Sequence, residues 1–275
     1  MRFVRWKNGN EVERYASADG ARWTRLAGLP AGVRLVDLAT PEGLAQLVEP
    51  RLTDSAADAE VDLDHAATIV DGGDIWGAGL NYLGHSQDLG VDQPKAAPGS
   101  YLRPGNCLID NSGTIELPKQ SARVTAEAEL GLVIGVTCKN VARSAWRDVV
   151  AGVTTVLDLT AEDAIRENPR HIPWSKGFDT FCSIGPQLVT LEEFDDDRLR
   201  SLTVSTVRNG EVVASAPVSG MRYDLGRLVE HFTAGRTFAP GTVICTGTPG
   251  ATVITPGDRV EAVVDGVGSL GHPVT

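Results

Sequence analysis

Two stretches of the chain have the length and composition of buried β-strands. Residues 124–135 and 149–156 are rich in valine and in other aliphatic or β-branched residues. Asn209-Gly210, a turn sequence typical of hairpins, separates two shorter strand patterns. Helical patterns are short and occupy residues 41–48, 80–90, 160–168 and 225–232. Strand patterns outnumber helical ones without regular β–α–β alternation, which predicts a β-rich α+β fold.

The N-terminal part of the chain shows short strand patterns broken by turns. Turn signals lie at residues 8–10 and 19–20. Thr40 followed by Pro41 predicts the start of a short helix, because threonine caps helices and proline fits the first helical position. The polar, acidic residues 50–65 are typical of a connector, so we expect a small N-terminal unit ahead of the rest of the chain.

Charge and composition argue against several classes of partner. A formal net charge of −11 disfavours binding to nucleic acid or to an anionic membrane surface. No hydrophobic run approaches the length of a membrane span, and the N-terminus lacks the core of a signal peptide, so we predict a cytoplasmic protein. Four cysteines lack the spacing of a zinc site or of a disulfide framework: Cys107, Cys138, Cys182 and Cys245.

Three acidic residues accompany the two long strand patterns. Residues two apart in a strand share a face, so Glu127 and Glu129 are expected to point the same way. Asp158 follows the second run, where that strand is expected to end. Neighbouring carboxylates repel each other unless a cation or a proton separates them, and such a group suits Mg²⁺ or Mn²⁺ better than Zn²⁺. The alternative is structural: the glutamates line the solvent face of an edge strand, and the aspartate caps a helix.

Two further stretches carry side chains with catalytic chemistry. His85 and Asp88 are three residues apart in a helical pattern, so the carboxylate can orient the imidazole as a general base. A surface ion pair would have the same spacing. Lys176 stands beside a glycine among aromatic residues, where its ammonium group either binds an anionic ligand or extends into solvent.

Taken together, these segments resemble the fumarylacetoacetate hydrolase family. The matching pieces follow the family's order over roughly residues 70–272 and are Gly79-Leu-Asn-Tyr82 with His85, Glu127-x-Glu129-Leu, Val150-Ala-Gly152 leading to Asp158, Lys176-Gly-Phe-Asp-Thr-Phe, Gly241-Thr-Val-Ile-x-Thr246-Gly-Thr-Pro249 and Pro256-Gly-Asp258. The resemblance implies a mixed β-sheet roll, usually dimeric, in a catalytic domain at residues 71–275. It also implies a small N-terminal α/β domain at residues 1–70.

The resemblance further implies a metal-dependent reaction on a small molecule. The implied ligands of Mg²⁺ or Mn²⁺ are Glu127, Glu129 and Asp158. The implied catalytic residues are Lys176 beside the metal and a water-activating lid pair, His85 and Asp88. The implied substrate contacts are Tyr82, Arg103, Glu162, Arg166 and Thr248. The implied reaction is hydrolysis of a C–C bond in an acylpyruvate-like β-dicarbonyl compound through a metal-stabilised enolate. One alternative is decarboxylation or isomerisation of a 2-oxo acid on the same site, and another is a catalytically silent binding protein.

The chain departs from the family pattern where acylpyruvate-type members hold the substrate carboxylate. Those members have an arginine four residues after the third metal ligand and then a glutamine, whereas this chain has Glu162 and Ile165. A carboxylate at that place is expected to repel an acidic substrate. Arg166 follows directly, but a shift of one residue turns a side chain by about 100° around a helix. We therefore expect a substrate that is less acidic or larger than acylpyruvate. In the lid pair, Asp88 is one methylene shorter than the usual glutamate, which predicts a looser pair.

Overall fold

The computed structural model describes residues 1–9, 11–54, 58–90 and 92–275, except for the side chains at positions 53, 54, 58, 59 and 87–89. The strands are β1 Arg2–Asn8, β2 Glu11–Ser17, β3 Trp23–Arg25, β4 Asp58–Ala59, β5 Ala66–Ala67, β6 Ile75–Gly79, β7 Gly99–Arg103, β8 Leu108–Ile109, β9 Val124–Ile134, β10 Val150–Ala161, β11 Cys182–Thr190, β12 Thr203–Arg208, β13 Glu211–Pro217, β14 Val243–Cys245, β15 Ala251–Ile254, β16 Arg259–Val264 and β17 Gly268–Pro273. The α-helices are α1 Leu35–Leu38, α2 Pro41–Gly43, α3 Glu49–Asp54, α4 Leu83–Leu89, α5 Glu162–Glu167, α6 Ile172–Ser175, α7 Asp196–Ser201 and α8 Leu225–Thr233.

Two sheets carry the described structure, and they confirm the β-rich α+β prediction. The larger sheet has 13 strands, most of them in the order β4-β3-β2-β1-β11-β10-β9-β14-β6-β7. It is mixed, because β14 pairs with β6 in parallel while β9 and β10 pair antiparallel. The smaller sheet has the order β13-β12-β16-β17. Within the described residues, no helix combines the length and the hydropathy needed to cross a membrane.

The strands β9 and β10 lie in the middle of the larger sheet and are buried almost throughout. Every residue of β9 is buried, and in β10 only Ala151 is partly exposed. The smaller sheet packs on them: the Ala128 amide donates to Thr206 Oγ1 at 3.0 Å, and Thr155 Oγ1 donates to the Gly268 carbonyl at 2.9 Å. Strands covered on both faces have continuous hydrophobic sequences, which is why these two runs dominate the pattern of the chain.

The N-terminal strands extend the larger sheet directly. The strand β1 pairs antiparallel with β11, with Phe3 opposite Leu188. Phe3 and Leu35 are fully buried in the same hydrophobic core as Leu188. The boundary at residue 70 between an N-terminal and a catalytic domain stays a prediction, and strand pairing joins the chain on either side of it.

Several local predictions can be compared with the structure. Thr40 caps the helix after Pro41 by accepting from the Gly43 amide, and a π-helical segment, Leu44–Val48, continues it into α3, so the helix runs longer than expected. The hairpin of β12 and β13 turns at Asn209 and Gly210, which both have the positive φ that its tight turn requires. Asn10, in the first predicted turn, lies outside the described residues.

His272 is a fully buried histidine in β17. Its Nδ1 lies 2.8 Å from the Gly113 carbonyl, and its Nε2 has no hydrogen-bond partner within the described structure. Burial lowers the pKa of His272 from 6.5 to about 4, because a charged imidazolium would have to leave water. The imidazole is therefore neutral in the folded protein at neutral pH.

We expect the free energy of unfolding to decrease as the pH falls from about 6.5 to about 4, because the unfolded chain takes up a proton on His272 that the folded chain does not. The stabilisation is complete above pH 6.5 and is lost towards pH 4, which amounts to roughly 3 kcal/mol. Urea unfolding between pH 7 and pH 4 measures it, with His272→Asn as a control that keeps a donor towards Gly113. The same pH dependence in both proteins would contradict this assignment.

Candidate active site

Strand register brings the three predicted acids together. Glu127 in β9 lies directly opposite Asp158 in β10, and Glu129 lies two residues further along β9 on the same face. One carboxylate oxygen from each residue lies within 4.8 Å of the others, and all three side chains are buried. The strand β10 continues to Ala161, so the expectation that Asp158 follows the end of the strand is wrong. The alternative of an exposed edge strand is also wrong, because β9 pairs on both sides.

Two buried cations and a phenol surround Asp158. Lys176 Nζ donates to Asp158 Oδ1 at 2.7 Å, Arg103 Nη2 pairs with the same oxygen, and Tyr101 OH donates to Oδ2. The Arg103 guanidinium also donates to three main-chain carbonyls, those of Leu159, Lys176 and Phe181. Its side chain has no exposed surface. Asp158 is therefore fixed by the protein before any ligand binds.

Lys176 links the acids to one another. Its ammonium group lies 2.7 Å from Thr160 Oγ1, 3.5 Å from Glu127 Oε2 and 4.8 Å from the centre of the Tyr101 ring. Burial alone would lower the pKa of Lys176, but Asp158 and Glu127 outweigh it and raise that pKa above its ordinary value. Lys176 is therefore a hydrogen-bond donor at neutral pH and not a base.

The protein shifts the pKa values of Asp158 and Glu129 in opposite directions. Burial alone would raise the pKa of Asp158, but Arg103 and Lys176 outweigh it and hold that pKa below its ordinary value. Burial and the neighbouring Asp158 raise the pKa of Glu129 well above its ordinary value, although the Gly247 amide donates to it at 2.7 Å. In the absence of a cation, Glu129 therefore takes up a proton more readily than an ordinary glutamate does.

The donor set fits a hard divalent cation. Three converging carboxylates supply oxygen ligands of the kind that Mg²⁺ and Mn²⁺ prefer, and a cation among them would remove the repulsion that raises the pKa of Glu129. The ligands would be Glu127, Glu129 and Asp158. Their surroundings hold all three in place: Glu127 Oε1 accepts from the hydroxyls of Thr125 and Thr160 at 3.2 and 3.1 Å, and Asp158 and Glu129 have the partners described above.

Glu127 and Glu129 line a cavity of about 400 Å³, and Asp158, which lies opposite Glu127, is not part of the lining. Aliphatic or non-polar residues line its sides, among them Leu80, Ile165, Pro169 and Ile172. Polar and charged residues on its wall are His85, Tyr101, Thr125, Glu127, Glu129, Thr160, Glu162, Arg166, Lys176 and Thr248. A ligand in this space would meet Glu127, Glu129 and Lys176 together with a non-polar surface.

The structure brings His85 and Thr248 to the wall of this cavity. His85 lies in α4, is 6% exposed, and its Nδ1 has no hydrogen-bond partner in the part of the chain that the structure describes. Thr248 lies in the loop between β14 and β15, where its hydroxyl donates to the Gly250 carbonyl at 3.0 Å. The side chain of Asp88 lies outside the described residues, so the predicted His85–Asp88 pair stays a prediction.

Two predicted substrate contacts do not line the cavity. The Nη1 and Nη2 atoms of Arg103 donate to Asp158 and to main-chain carbonyls, and its side chain does not line the cavity. Tyr82 is 2% exposed, its hydroxyl has no partner among the described residues, and burial raises its pKa with a further contribution from Glu129. Tyr101, which does line the cavity, was missed; the available signal was its position two residues before Arg103 in one strand.

Glu162 is not a free carboxylate. Its Oε1 accepts from Arg166 Nε and Nη2 at 2.8 and 2.5 Å, and its Oε2 pairs with Arg123 Nε. Glu162 and Arg166 are four residues apart on α5, and both line the cavity, so the shift of one residue past Ile165 does not turn Arg166 away. Arg123, just before β9, was not predicted.

The chain is similar to several known proteins. It is 37% identical over 198 residues to an uncharacterised protein of Pyrococcus abyssi, covering 70% of this chain and 86% of that protein. Its structure matches a crystal structure of 5-carboxymethyl-2-hydroxymuconate delta-isomerase from Mycobacterium smegmatis with a TM-score of 0.77 and 28% identity, covering 100% of this chain and 98% of the other. It matches maleylpyruvate hydrolase from Sphingobium sp. SYK-6, in complex with manganese (II) ion and pyruvate, with a TM-score of 0.80 and 26% identity, covering 100% and 99%.

The family comparison covers the part of the chain that contains the acidic group and its cavity. The family description that matches is fumarylacetoacetate (FAA) hydrolase C-terminal, and the match spans residues 74–275. The fold, with its large mixed sheet, agrees with that of the matched structures. The chain therefore belongs to the fumarylacetoacetate hydrolase family.

Proposed function

We propose that this protein is a divalent-metal-dependent hydrolase that cleaves a C–C bond in a β-dicarbonyl compound. The observation that carries the proposal is the convergence of Glu127, Glu129 and Asp158 with Lys176 beside a cavity that Glu127, Glu129 and Lys176 line. Of the similar proteins, one is a maleylpyruvate hydrolase whose structure contains manganese (II) ion and pyruvate. Family membership and the acidic group support metal-dependent chemistry, and the choice of substrate and reaction is our proposal.

When bound, a divalent cation supplies Lewis-acid polarisation of substrate oxygens. The chain's own residues provide the remaining groups. Lys176, whose pKa is raised by Asp158 and Glu127 against the effect of burial, donates to a substrate oxygen that gains negative charge as the C–C bond breaks. His85, on the cavity wall, takes a proton from the attacking water, and the Thr248 hydroxyl binds the other end of the substrate.

The cavity favours a substrate larger than acylpyruvate. A volume of about 400 Å³ and non-polar sides formed by Leu80, Ile165 and Ile172 leave space beyond the acidic group. The expectation of a less acidic substrate assumed that Glu162 repels anions. Two arginines neutralise that carboxylate. We therefore propose a substrate larger than acylpyruvate, but we no longer expect it to be less acidic.

The second candidate function is isomerisation or decarboxylation of a 2-oxo acid at the same site. It is favoured by the similarity to a delta-isomerase. These reactions need the group around Lys176 but not an activated water.

Turnover of a small panel tests the proposal: acylpyruvates of increasing length, oxaloacetate and neutral 1,3-diketones, each with and without Mg²⁺ or Mn²⁺. We expect addition of water and release of two carbon fragments, identified by mass spectrometry, with a loss of roughly 10²-fold or more after chelation. Release of carbon dioxide alone, or exchange of tautomers alone, would replace the hydrolase by the second candidate. Unchanged turnover after chelation would contradict both.

A further inference from the structure

Leu80 has an unusual backbone conformation for a leucine. It lies directly after β6, in the turn before α4, and its φ is 57°, in the left-handed region. A residue with a Cβ is strained there, which is why glycine or asparagine usually occupies such positions. Of the residues that line the cavity, Leu80 is the one non-glycine with a positive φ in the part of the chain that the structure describes. Strain of this kind is concentrated at functional sites.

Hydrogen bonds of the next residue, Asn81, hold the chain in this conformation. Its side-chain amide donates to the carbonyls of Thr246 and Tyr223 at 2.8 and 3.0 Å, and its Oδ1 accepts from the Tyr223 amide at 2.8 Å. The Asn81 carbonyl accepts from the Arg222 amide at 2.8 Å. These four hydrogen bonds fix the chain next to Leu80 and together outweigh the strain of one left-handed residue.

Packing of the protein core does not explain a leucine at this position. Leu80 is half-buried and, within the described residues, belongs to neither hydrophobic cluster of the fold. The neighbouring Gly79 has no positive φ, and a Cβ there would meet no heavy atom within 4 Å beyond its chain neighbours. The chain thus has a glycine where the backbone does not need one and a leucine where a glycine would relieve strain. What the leucine contributes is an alkyl side chain on the cavity wall.

We infer that Leu80 is a specificity-determining residue that binds a hydrocarbon segment of the substrate. Each methylene group of a ligand that leaves water against this side chain favours binding. The inference rests on the proposed function, in which the acidic group and Lys176 hold the dicarbonyl end of the substrate. It narrows the substrate class to 2-oxo or β-dicarbonyl acids that carry an alkyl segment of several carbons.

Isothermal titration calorimetry on the Mg²⁺-loaded protein tests this with pyruvate and 2-oxohexanoate, which differ by three methylene groups. Neither is a β-dicarbonyl compound that the proposed hydrolysis would cleave. Oxalate, which has no alkyl segment, reports on the acidic group. We expect 2-oxohexanoate to bind about 10-fold more tightly than pyruvate, as for methylene groups that leave water in part.

Variants assign this preference to Leu80. Leu80→Ala is expected to reduce it to about 3-fold or less, while oxalate affinity changes by less than about 2-fold. Leu80→Met keeps a non-polar side chain of similar size and should retain the preference within about 2-fold. Leu83→Ala is the matched control and should leave the preference unchanged, because Leu83 is 58% exposed and does not line the cavity.

A comparison of Leu80→Gly with Leu80→Ala measures the strain separately from the loss of the side chain. Both substitutions remove the alkyl group, but only glycine adopts the left-handed conformation without strain. We therefore expect a higher urea midpoint for Leu80→Gly than for Leu80→Ala, with a chelator present in both measurements. At an ordinary position glycine is the less stable of the two, so a lower midpoint for Leu80→Gly would contradict the strain at this residue.

The outcomes separate this inference from the proposed function. Oxalate binding together with equal affinities for pyruvate and 2-oxohexanoate would overturn the role of Leu80 and leave the metal site standing. An unchanged preference in Leu80→Ala would also overturn it. Failure of oxalate to bind to the Mg²⁺-loaded protein would overturn the proposed function itself. The preference of the unaltered protein needs no variant, so the test remains valid even if Leu80→Ala does not fold.

Discussion

Asp158→Asn is expected to abolish turnover, with a loss of roughly 10³-fold or more, and also to destabilise the fold by about 3–5 kcal/mol. Turnover is lost because Asp158 is a predicted metal ligand. Stability is lost because Asp158 is also the acceptor for Arg103, Lys176 and Tyr101. Removing its charge leaves the Arg103 guanidinium, whose side chain has no exposed surface, without an anionic partner. A buried charge without its partner is among the most destabilising changes in a folded protein.

Glu127→Gln is the matched comparison for Asp158→Asn. It removes another predicted metal ligand, so turnover should also fall by roughly 10²-fold or more. Its stability should change by no more than about 1–2 kcal/mol, because a glutamine still accepts from Thr125 and Thr160, and Lys176 keeps Asp158. Urea unfolding in the presence of a chelator measures the protein alone, since metal binding would otherwise add to the stability of the folded state. Equal destabilisation by the two substitutions would contradict the special position of Asp158.

The alternation of side chains was sufficient to place Glu127 and Glu129 on one face of β9, but it did not predict where β10 ends. Glu127 and Glu129 share a face because side chains alternate in a strand, and this follows from the sequence alone. Asp158 and Thr160 looked like the end of a strand, since polar residues interrupt the hydrophobic run. In the fold, β10 continues to Ala161 because Lys176 and Thr160 form part of a hydrogen-bonded polar group inside the sheet. Tertiary contacts therefore decided where the strand ends.

The contacts that position the site could not be predicted from the sequence. Arg103 lies 55 residues before Asp158 in the chain, and Arg123 lies 39 residues before Glu162. Each contact depends on which strands become neighbours in the sheet, and no local spacing encodes that choice. The family resemblance implied the metal-binding role of the acids, the role of Lys176 and the mixed β-sheet roll, whereas the pairing of Glu162 with two arginines is a feature of this chain. The expected repulsion of acidic substrates came from considering Glu162 without its partners.

His85→Ala is expected to separate hydrolysis from the other reactions of the same site. Hydrolysis of an acylpyruvate needs a proton taken from water, and loss of a positioned general base lowers such a rate by about 10²–10⁴-fold. Decarboxylation of oxaloacetate needs no activated water, so its rate should change by less than about 10-fold. His171→Ala is the control, because His171 is exposed, contacts Trp174 and does not line the cavity.

The ratio of the hydrolysis rate to the decarboxylation rate tests whether His85 is the general base. Both substrates use the same acids and Lys176, so a general defect of the site lowers both rates together, whereas loss of the base lowers only hydrolysis. Added imidazole should restore part of the hydrolysis by His85→Ala, since the substitution leaves space on the cavity wall where His85 stood. Equal losses for both substrates, without rescue, would show that His85 shapes the cavity. Retention of most hydrolysis would show that another group activates the water.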